Sequence, residues 1–226
     1  MAGPTEAELR EAVIGTCRAM NARGLNQGTS GNVSVRNAQG FLLTPSGVPY
    51  DDMTPDQIVQ MDLDAGYRGD WLPSSEWRMH SDIYRVRPDA GAVVHTHSIH
   101  ATALSCLRQD IPAFHYMIAV AGGATLRCAD YATFGTQALS DAMLQALDGR
   151  EACLLANHGM ICFGPTLDKA LWLAGEVEAL CHQYVVARQA GDPVVLDDAE
   201  MVEIQRRFAS YGSQDKGGAI EMPKRR

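Results

Sequence analysis

The chain has 226 residues, 46% of them hydrophobic and 20% charged, a globular composition sized for one ordinary α/β domain. A domain of this length buries roughly 70% of its unfolded surface, so it needs no disulfide staple. Nineteen Lys and Arg against 27 Asp and Glu leave a net charge of −8, which argues against nucleic acid or an anionic membrane surface as a partner.

The first ten residues are polar and charged, unlike a signal peptide, and no stretch approaches about 18 consecutive apolar residues. Six cysteines are scattered without a CxxC pair, so reduced thiols in the cytoplasm are expected. Cys153 and Cys162 fall on neighbouring predicted strands and read as small buried hydrophobes.

Thr5 with Glu8 has the form of a capping box, and Leu9, Val13, Ile14, Cys17 and Met20 recur at helical spacing. The pattern predicts a helix over 5–23, ended by Gly24. Val33 and Val35, then Phe41 to Leu43, flank Asn37-Ala38-Gln39-Gly40 as a β-hairpin. Thr54-Pro55 opens a short helix. Ser74 or Ser75 caps a helix that runs to Val86 and stops before Pro88. Residues 91–96 read as a strand and 98–107 as a helix. Ala152–Ala156 and Met160–Phe163 pair around Asn157-His158-Gly159. Thr166 caps the longest helix, over 167–190, with Gly191 at its end. Residues 1–212 read as one α/β domain, and the polar, then basic, stretch 213–226 as a loose tail.

The sharpest feature is His95-Thr96-His97 at the end of a predicted strand. Side chains at i and i+2 share a face, so both imidazoles project together and can share a metal. An isolated HxH more often marks two histidines with no common ligand. His158, in a tight connection between two apolar strands, adds a third. Three histidines on Zn²⁺ leave an open position, the arrangement of catalytic zinc. Glu76 is a fourth candidate ligand, although a Glu in a first helical turn is also explained by the helix dipole. His80 follows Glu76 at i+4 and can support it. His100 and His182 read as ordinary helix residues, and His115 as a residue that orients Tyr116. Gly28-Thr29-Ser30-Gly31-Asn32, Thr44-Pro45-Ser46-Gly47 and Ser74-Ser75 are rich in backbone N–H groups and hydroxyls suited to an anion, although each alone is equally well a turn or a cap.

Taken together and in this order, these segments resemble the class II aldolase family of aldolases, 4-epimerases and adducin-like modules, nearest its fuculose-phosphate aldolase branch. The resemblance runs through Gly24–Thr29, Gly31–Arg36, Pro73–Arg78, Ala92–His95, His115–Ala119, Ala121–Gly123, Tyr131–Thr136 and Lys169–Ala174, which leaves only the tail outside. It implies a single α/β domain built on a roughly nine-stranded, mostly antiparallel central sheet flanked by helices. It also implies a cyclic homotetramer with active sites between subunits. One Zn²⁺ per subunit is then expected on His95, His97 and His158, with Glu76 as the acid/base, free to touch the metal when no substrate is present. Thr29, Asn32, Ser46, Gly47, Ser74 and Ser75 line the phosphate site. Tyr116 of an adjacent subunit is the second proton-transfer group, and Phe134 and Tyr211 lie near the substrate tail.

The implied substrate is a phosphorylated ketose, L-fuculose 1-phosphate or a related deoxy-pentulose 1-phosphate, cleaved to dihydroxyacetone phosphate and an aldehyde. Zn²⁺ acts in that chemistry as a Lewis acid for charge developing beside a carbonyl. No lysine in these motifs is placed for a Schiff base. The chain departs from the branch at Asn157, where a second His is expected, at Ser46 for Thr, and at Asp130 for Pro. Ser46 keeps the hydroxyl and none of the three touches a zinc ligand, while changes near the distal pocket bear on the aldehyde half of the substrate. The competing readings are a 5-deoxyribulose or methylthioribulose 1-phosphate aldolase, a dehydratase, decarboxylase or 4-epimerase on the same scaffold, and a non-catalytic adducin-like module. Glu76 in place of the epimerase Asp, together with the His115-Tyr116-Met117 segment, favours an aldolase.

Overall fold

The computed structural model describes residues 3–208, so the expected boundary at 212, Tyr211 and the tail lie outside the described residues. Helix α1 spans Glu6–Ala22. Its capping box forms as expected, with the Thr5 side chain accepting from the Glu8 N–H and the Glu8 carboxylate reaching back to the Thr5 N–H at 2.7 Å. The hairpin is β1 (Asn32–Asn37) and β2 (Gly40–Leu43). A 3₁₀ turn at Pro55–Gln57 leads into β3 (Val59–Met61) and the two-residue β4 (Tyr67–Arg68). Helix α2 covers Trp77–Val86, β5 Ala92–Thr96 and α3 Ile99–Ser105. A second 3₁₀ segment, Tyr116–Ala121, precedes β6 (Cys128–Ala129) and α4 (Gln137–Ala146). The chain continues through β7 (Ala152–Leu155), β8 (Gly159–Gly164), α5 (Leu167–Ala190) and α6 (Asp198–Phe208).

Among the described residues the sheet has eight strands, in the order β4-β3-β2-β1-β5-β8-β7-β6, one fewer than the roughly nine that the resemblance implies. Every pairing is antiparallel except β6 with β7. The strands and helices that periodicity did not reveal are β3, β4, β6, α4 and α6. The three strands are two or three residues long, too short for an alternation to register. No helix among the described residues is long and apolar enough to cross a membrane.

Alternation along the strands splits the core in two. Val33, Val35, Ala92, Val94, Met160 and Cys162 face one side, where α1, α3 and α5 cover them. Phe41, Leu43, Val93, Ile161 and Phe163 face the other, under α2 and α4. Cys153 and Cys162 sit on adjacent strands but in different halves of the core, and all six cysteines are unpaired. The sheet is therefore buried on both faces, which is why β5 and β8 read as unbroken apolar runs.

Phe41 is fully buried, with its ring 5.1 Å from that of Tyr84. Truncation to alanine removes a large side chain from a site that cannot refill. Phe41→Ala is expected to cost about 3–5 kcal/mol, read as a fall in the urea midpoint with an unchanged m-value.

Candidate active site

Three imidazoles and one carboxylate meet at the end of β5. The ring centroids of His95, His97 and His158 lie 4.8–4.9 Å apart, and each pair of rings is near perpendicular, at 75–82°. His95 Nε2 is 3.1 Å from His97 Nε2 and 3.1 Å from Glu76 Oε2, and His158 Nε2 is 3.0 Å from Glu76 Oε1. One donor atom from each of the four residues lies within 4.8 Å of every other. His95 is fully buried and Glu76 nearly so.

This donor set fits a divalent cation. His95 Nδ1 is 2.8 Å from the Met160 carbonyl oxygen and donates to it, which leaves the Nε2 lone pair of the neutral ring facing the cluster. Glu76 Oε1 is buried with no hydrogen bond of good geometry. Burial alone raises the proton affinity of the Glu76 carboxyl, but the His95 and His158 rings outweigh it and hold the group well below the usual carboxylate range. Burial likewise lowers that of His95, and the Glu76 carboxylate outweighs it in the opposite direction. His97 is pushed down to about 4 by burial and by the other two rings. The cluster attracts positive charge and keeps imidazole lone pairs free to accept it.

Local sequence explains the placement. The antiparallel pairing of β5 with β8 sets Thr96 opposite Met160, and the turn between β7 and β8 carries His158 back over the end of β5. Asn157 takes a left-handed conformation there, with φ 53°, which Asn tolerates better than most residues. At Gly159 a Cβ would run into the Thr96 carbonyl oxygen and lie 3.1 Å from the His97 ring. Only glycine lets the two histidine-bearing segments approach so closely.

Glu76 is itself the N-cap of α2, one or two residues after the expected cap at Ser74 or Ser75, so the helix begins at Trp77. The reason is the cluster: Glu76 turns inward instead of joining the helix. Ser74 Oγ accepts from the Glu76 N–H at 3.3 Å. Two further bonds tie this segment to the Thr44–Gly47 turn, Ser46 N–H to Leu72 O and Ser74 N–H to Thr44 O, each 3.0 Å. As a result Thr29, Asn32, Ser46, Gly47, Ser74 and Ser75 all line one cleft of about 340 Å³, with Glu76, His97 and His158 beside them. Among the described residues no Lys or Arg lines this cleft.

Phe134 stands at its mouth, 65% exposed, with Tyr131 and Asn157 nearby. Tyr131 and Asn157 belong to motifs visible in the sequence, but nothing in their spacing marked them as cleft residues. Arg108 joins them, its Nε donating to Asn157 Oδ1 at 2.6 Å and its guanidinium lying 5.3 Å from the Tyr131 ring centre. Tyr116 is not brought to the cleft of its own chain. It is half exposed on the second 3₁₀ segment, stacked between His115 and Phe208. His100 and His182 are less ordinary than their spacing suggests. Their rings stack at 4.0 Å, and Glu178 accepts from His100 Nδ1 and from the N–H groups that open α3.

Residues 11–185 match the family described as the class II aldolase and adducin N-terminal domain. The chain belongs to that family. Among class II aldolase relatives, the L-fuculose phosphate aldolase of Escherichia coli strain K12 is 50% identical over 206 residues, covering 91% of this chain and 96% of that one. The 5-methylthioribulose-1-phosphate/5-deoxyribulose-1-phosphate aldolase of Rhodospirillum rubrum is also 50% identical, over 204 residues, covering 90% of this chain and 92% of that one. A solved structure of an L-fuculose 1-phosphate aldolase superposes with a TM-score of 0.87 at 40% identity, over 92% of this chain and 98% of that one.

Gly159→Ala should lower metal affinity although it alters no candidate ligand, because the added methyl pushes the turn off Thr96. An effect of roughly tenfold or more is expected in a metal titration against a competing chelator.

Proposed function

We propose that this class II aldolase family member is a zinc-dependent lyase that cleaves a ketose 1-phosphate, L-fuculose 1-phosphate in the first instance, to dihydroxyacetone phosphate and an aldehyde. The observation that carries this reading is a buried carboxylate set among three converging imidazoles on the floor of a cleft lined by hydroxyls and backbone N–H groups. Half-identity to a named L-fuculose phosphate aldolase over nearly the whole of both chains supports the substrate class.

His95, His97 and His158 hold the metal, and Glu76 reaches it when no substrate is present. When bound, the metal supplies Lewis-acid stabilisation of negative charge beside the substrate carbonyl. Thr29, Asn32, Ser46, Gly47, Ser74 and Ser75 bind the phosphate. They do so with neutral donors and with the start of α2, whose dipole favours an anion. Glu76 carries a proton to and from the substrate carbon next to the carbonyl. Its place between the histidines and the phosphate wall sets it beside that carbon. Tyr116 of a neighbouring subunit serves the alcohol that becomes the aldehyde. Its half-exposed ring, outside the cleft of its own chain, supports a homotetramer whose sites are completed across interfaces. Phe134 borders the aldehyde half. A Schiff-base route has no lysine at the cleft among the described residues: Lys169 is the only one there, on α5 beside the Trp172 ring. The six unpaired cysteines support a reducing, cytoplasmic setting.

A second reading keeps the mechanism and changes the aldehyde. The Rhodospirillum rubrum relative, equally identical, is named for 5-methylthioribulose 1-phosphate and 5-deoxyribulose 1-phosphate, and the chain departs from the fuculose branch at Asn157, which lines the cleft, and at Asp130, the neighbour of the lining residue Tyr131.

A coupled assay for dihydroxyacetone phosphate, with L-fuculose 1-phosphate beside 5-deoxyribulose 1-phosphate, decides between them. Chelator-sensitive release is expected. Faster turnover of the five-carbon ester selects the second reading, and no release from either by metal-loaded protein sinks both. Glu76→Gln should retain metal while kcat falls by roughly 10²–10⁴, since only the proton-transfer group changes; near-normal cleavage by that variant removes Glu76 from its role.

A further inference from the structure

From Asn32, on the wall of the cleft, a line of buried polar side chains runs inward through His80, Ser34 and Tyr84, three residues that the proposed chemistry does not use. Asn32 Nδ2 is 2.9 Å from Glu76 Oε2, and His80 Nε2 is 2.6 Å from Asn32 Oδ1. Ser34 Oγ is 2.7 Å from His80 Nδ1 and 2.8 Å from the Tyr84 hydroxyl. His80 and Ser34 are fully buried, and Tyr84 nearly so, in the half of the core that contains Phe41, Met79 and Val93.

The direction of every bond follows from the chemistry of its ends. An ionised carboxylate only accepts, so Asn32 donates through Nδ2 and turns Oδ1 toward His80. That carbonyl oxygen also only accepts, so His80 carries its proton on Nε2. Complete burial pushes the His80 ring down to about 3, so it is neutral and Nδ1 has a bare lone pair. Ser34 therefore donates to Nδ1. Its single proton is then spent, so its oxygen accepts from Tyr84. All four bonds run one way, from Tyr84 to Glu76.

The line exists because two periodicities match. Glu76, His80 and Tyr84 are spaced i, i+4, i+8 along α2, a step of about 6 Å. Asn32 and Ser34 are spaced i, i+2 along β1, a step of about 6.8 Å. Both strand residues face α2, as the register of Asn32 with His95 and Ser34 with Val93 requires. Helix and strand residues therefore interleave in a single zigzag. An apolar core has no need of three buried polar groups here, which cost stability unless every one is paired.

We propose that His80 is a positioning residue for Glu76: with Ser34 and Tyr84 it locks Asn32 in the one orientation that donates to Oε2, which holds the carboxylate in register with the cleft and keeps Oε1 directed at the histidine cluster. The inference rests on the reading of Glu76 as the proton-transfer group, but its first test does not. In the metal-loaded protein, a long-range ¹⁵N–¹H spectrum should show His80 as the neutral Nε2–H tautomer at neutral pH. The Nδ1–H tautomer, or a doubly protonated ring, overturns the chain of bonds even if the protein turns over no ketose phosphate.

The second test is kinetic, with L-fuculose 1-phosphate. His80→Gln keeps a donor near the Nε2 position and should hold kcat within about threefold of wild type. His80→Leu removes it and should lower kcat roughly ten- to a hundredfold with KM and metal content little changed. A folded His80→Leu protein with wild-type kcat, or a loss seen equally in both variants, overturns the proposal. If His80→Leu does not fold, Tyr84→Phe keeps the ring against Phe41 and Arg36 and deletes only the terminal donor. It should lower kcat severalfold at constant KM, and an unchanged kcat there overturns the proposal too.

Discussion

Glu76 and three imidazoles share one nearly closed space, and most of the surrounding structure answers to the cost of putting them there. A buried carboxylate without compensation costs several kcal/mol, and imidazole lone pairs facing one another add repulsion. The structure meets that cost from two sides. In front, the histidines provide a site for positive charge, with His95 anchored by the Met160 carbonyl. Behind, Asn32 spends an amide donor on Oε2. Glu76 is consequently fixed at Oε2 by a hydrogen bond from the strand behind it, while Oε1 is left facing the histidines.

The central pair β5–β8 makes this arrangement possible. Antiparallel register puts His95 opposite Ile161 and Thr96 opposite Met160, so the turn bearing His158 returns to the strand end that bears His95 and His97. Because both strands are buried on both faces, they cannot slip by one residue without exchanging their side chains between two halves of the core that are each close-packed. The same register on the other side, β1 against β5, sets Asn32 beside His95. Metal-ligand candidates and the support for Glu76 thus come from three adjacent strands whose pairing is fixed by hydrophobic burial.

The cleft is built on a different economy. Its wall offers hydroxyls, amides and the first turn of α2, with no cationic side chain among the described residues. Neutral, preorganised donors of this kind suit an anion without the strong long-range attraction of an Arg cluster, in keeping with a net charge of −8. Arg108, Asn157 and Tyr131 form a small cluster of their own, two of whose members line the cleft with Phe134.

The sequence by itself determined the long elements and pointed to the four side chains that converge, Glu76, His95, His97 and His158. The Thr5–Glu8 box, the hairpin at Asn37–Gly40 and the helix from Thr166 to Gly191 all rest on interactions within a few residues, which local spacing encodes directly. His95 and His97 were legible together because i, i+2 spacing on a strand is itself a geometric statement. The N-terminus of α2 was misjudged by one or two residues because Glu76 answers to residues 19 and 82 positions away rather than to its own helix. Only the tertiary structure decided that β1 lies under α2. That contact turned His80 from a bare i+4 neighbour of Glu76 into the middle of a hydrogen-bonded line reaching it through Asn32. It also decided that Tyr116 stays away from the cleft of its own chain. Periodicity tells which face of an element is buried; which other element covers that face is settled by packing and strand register, and those depend on contacts far apart in the chain.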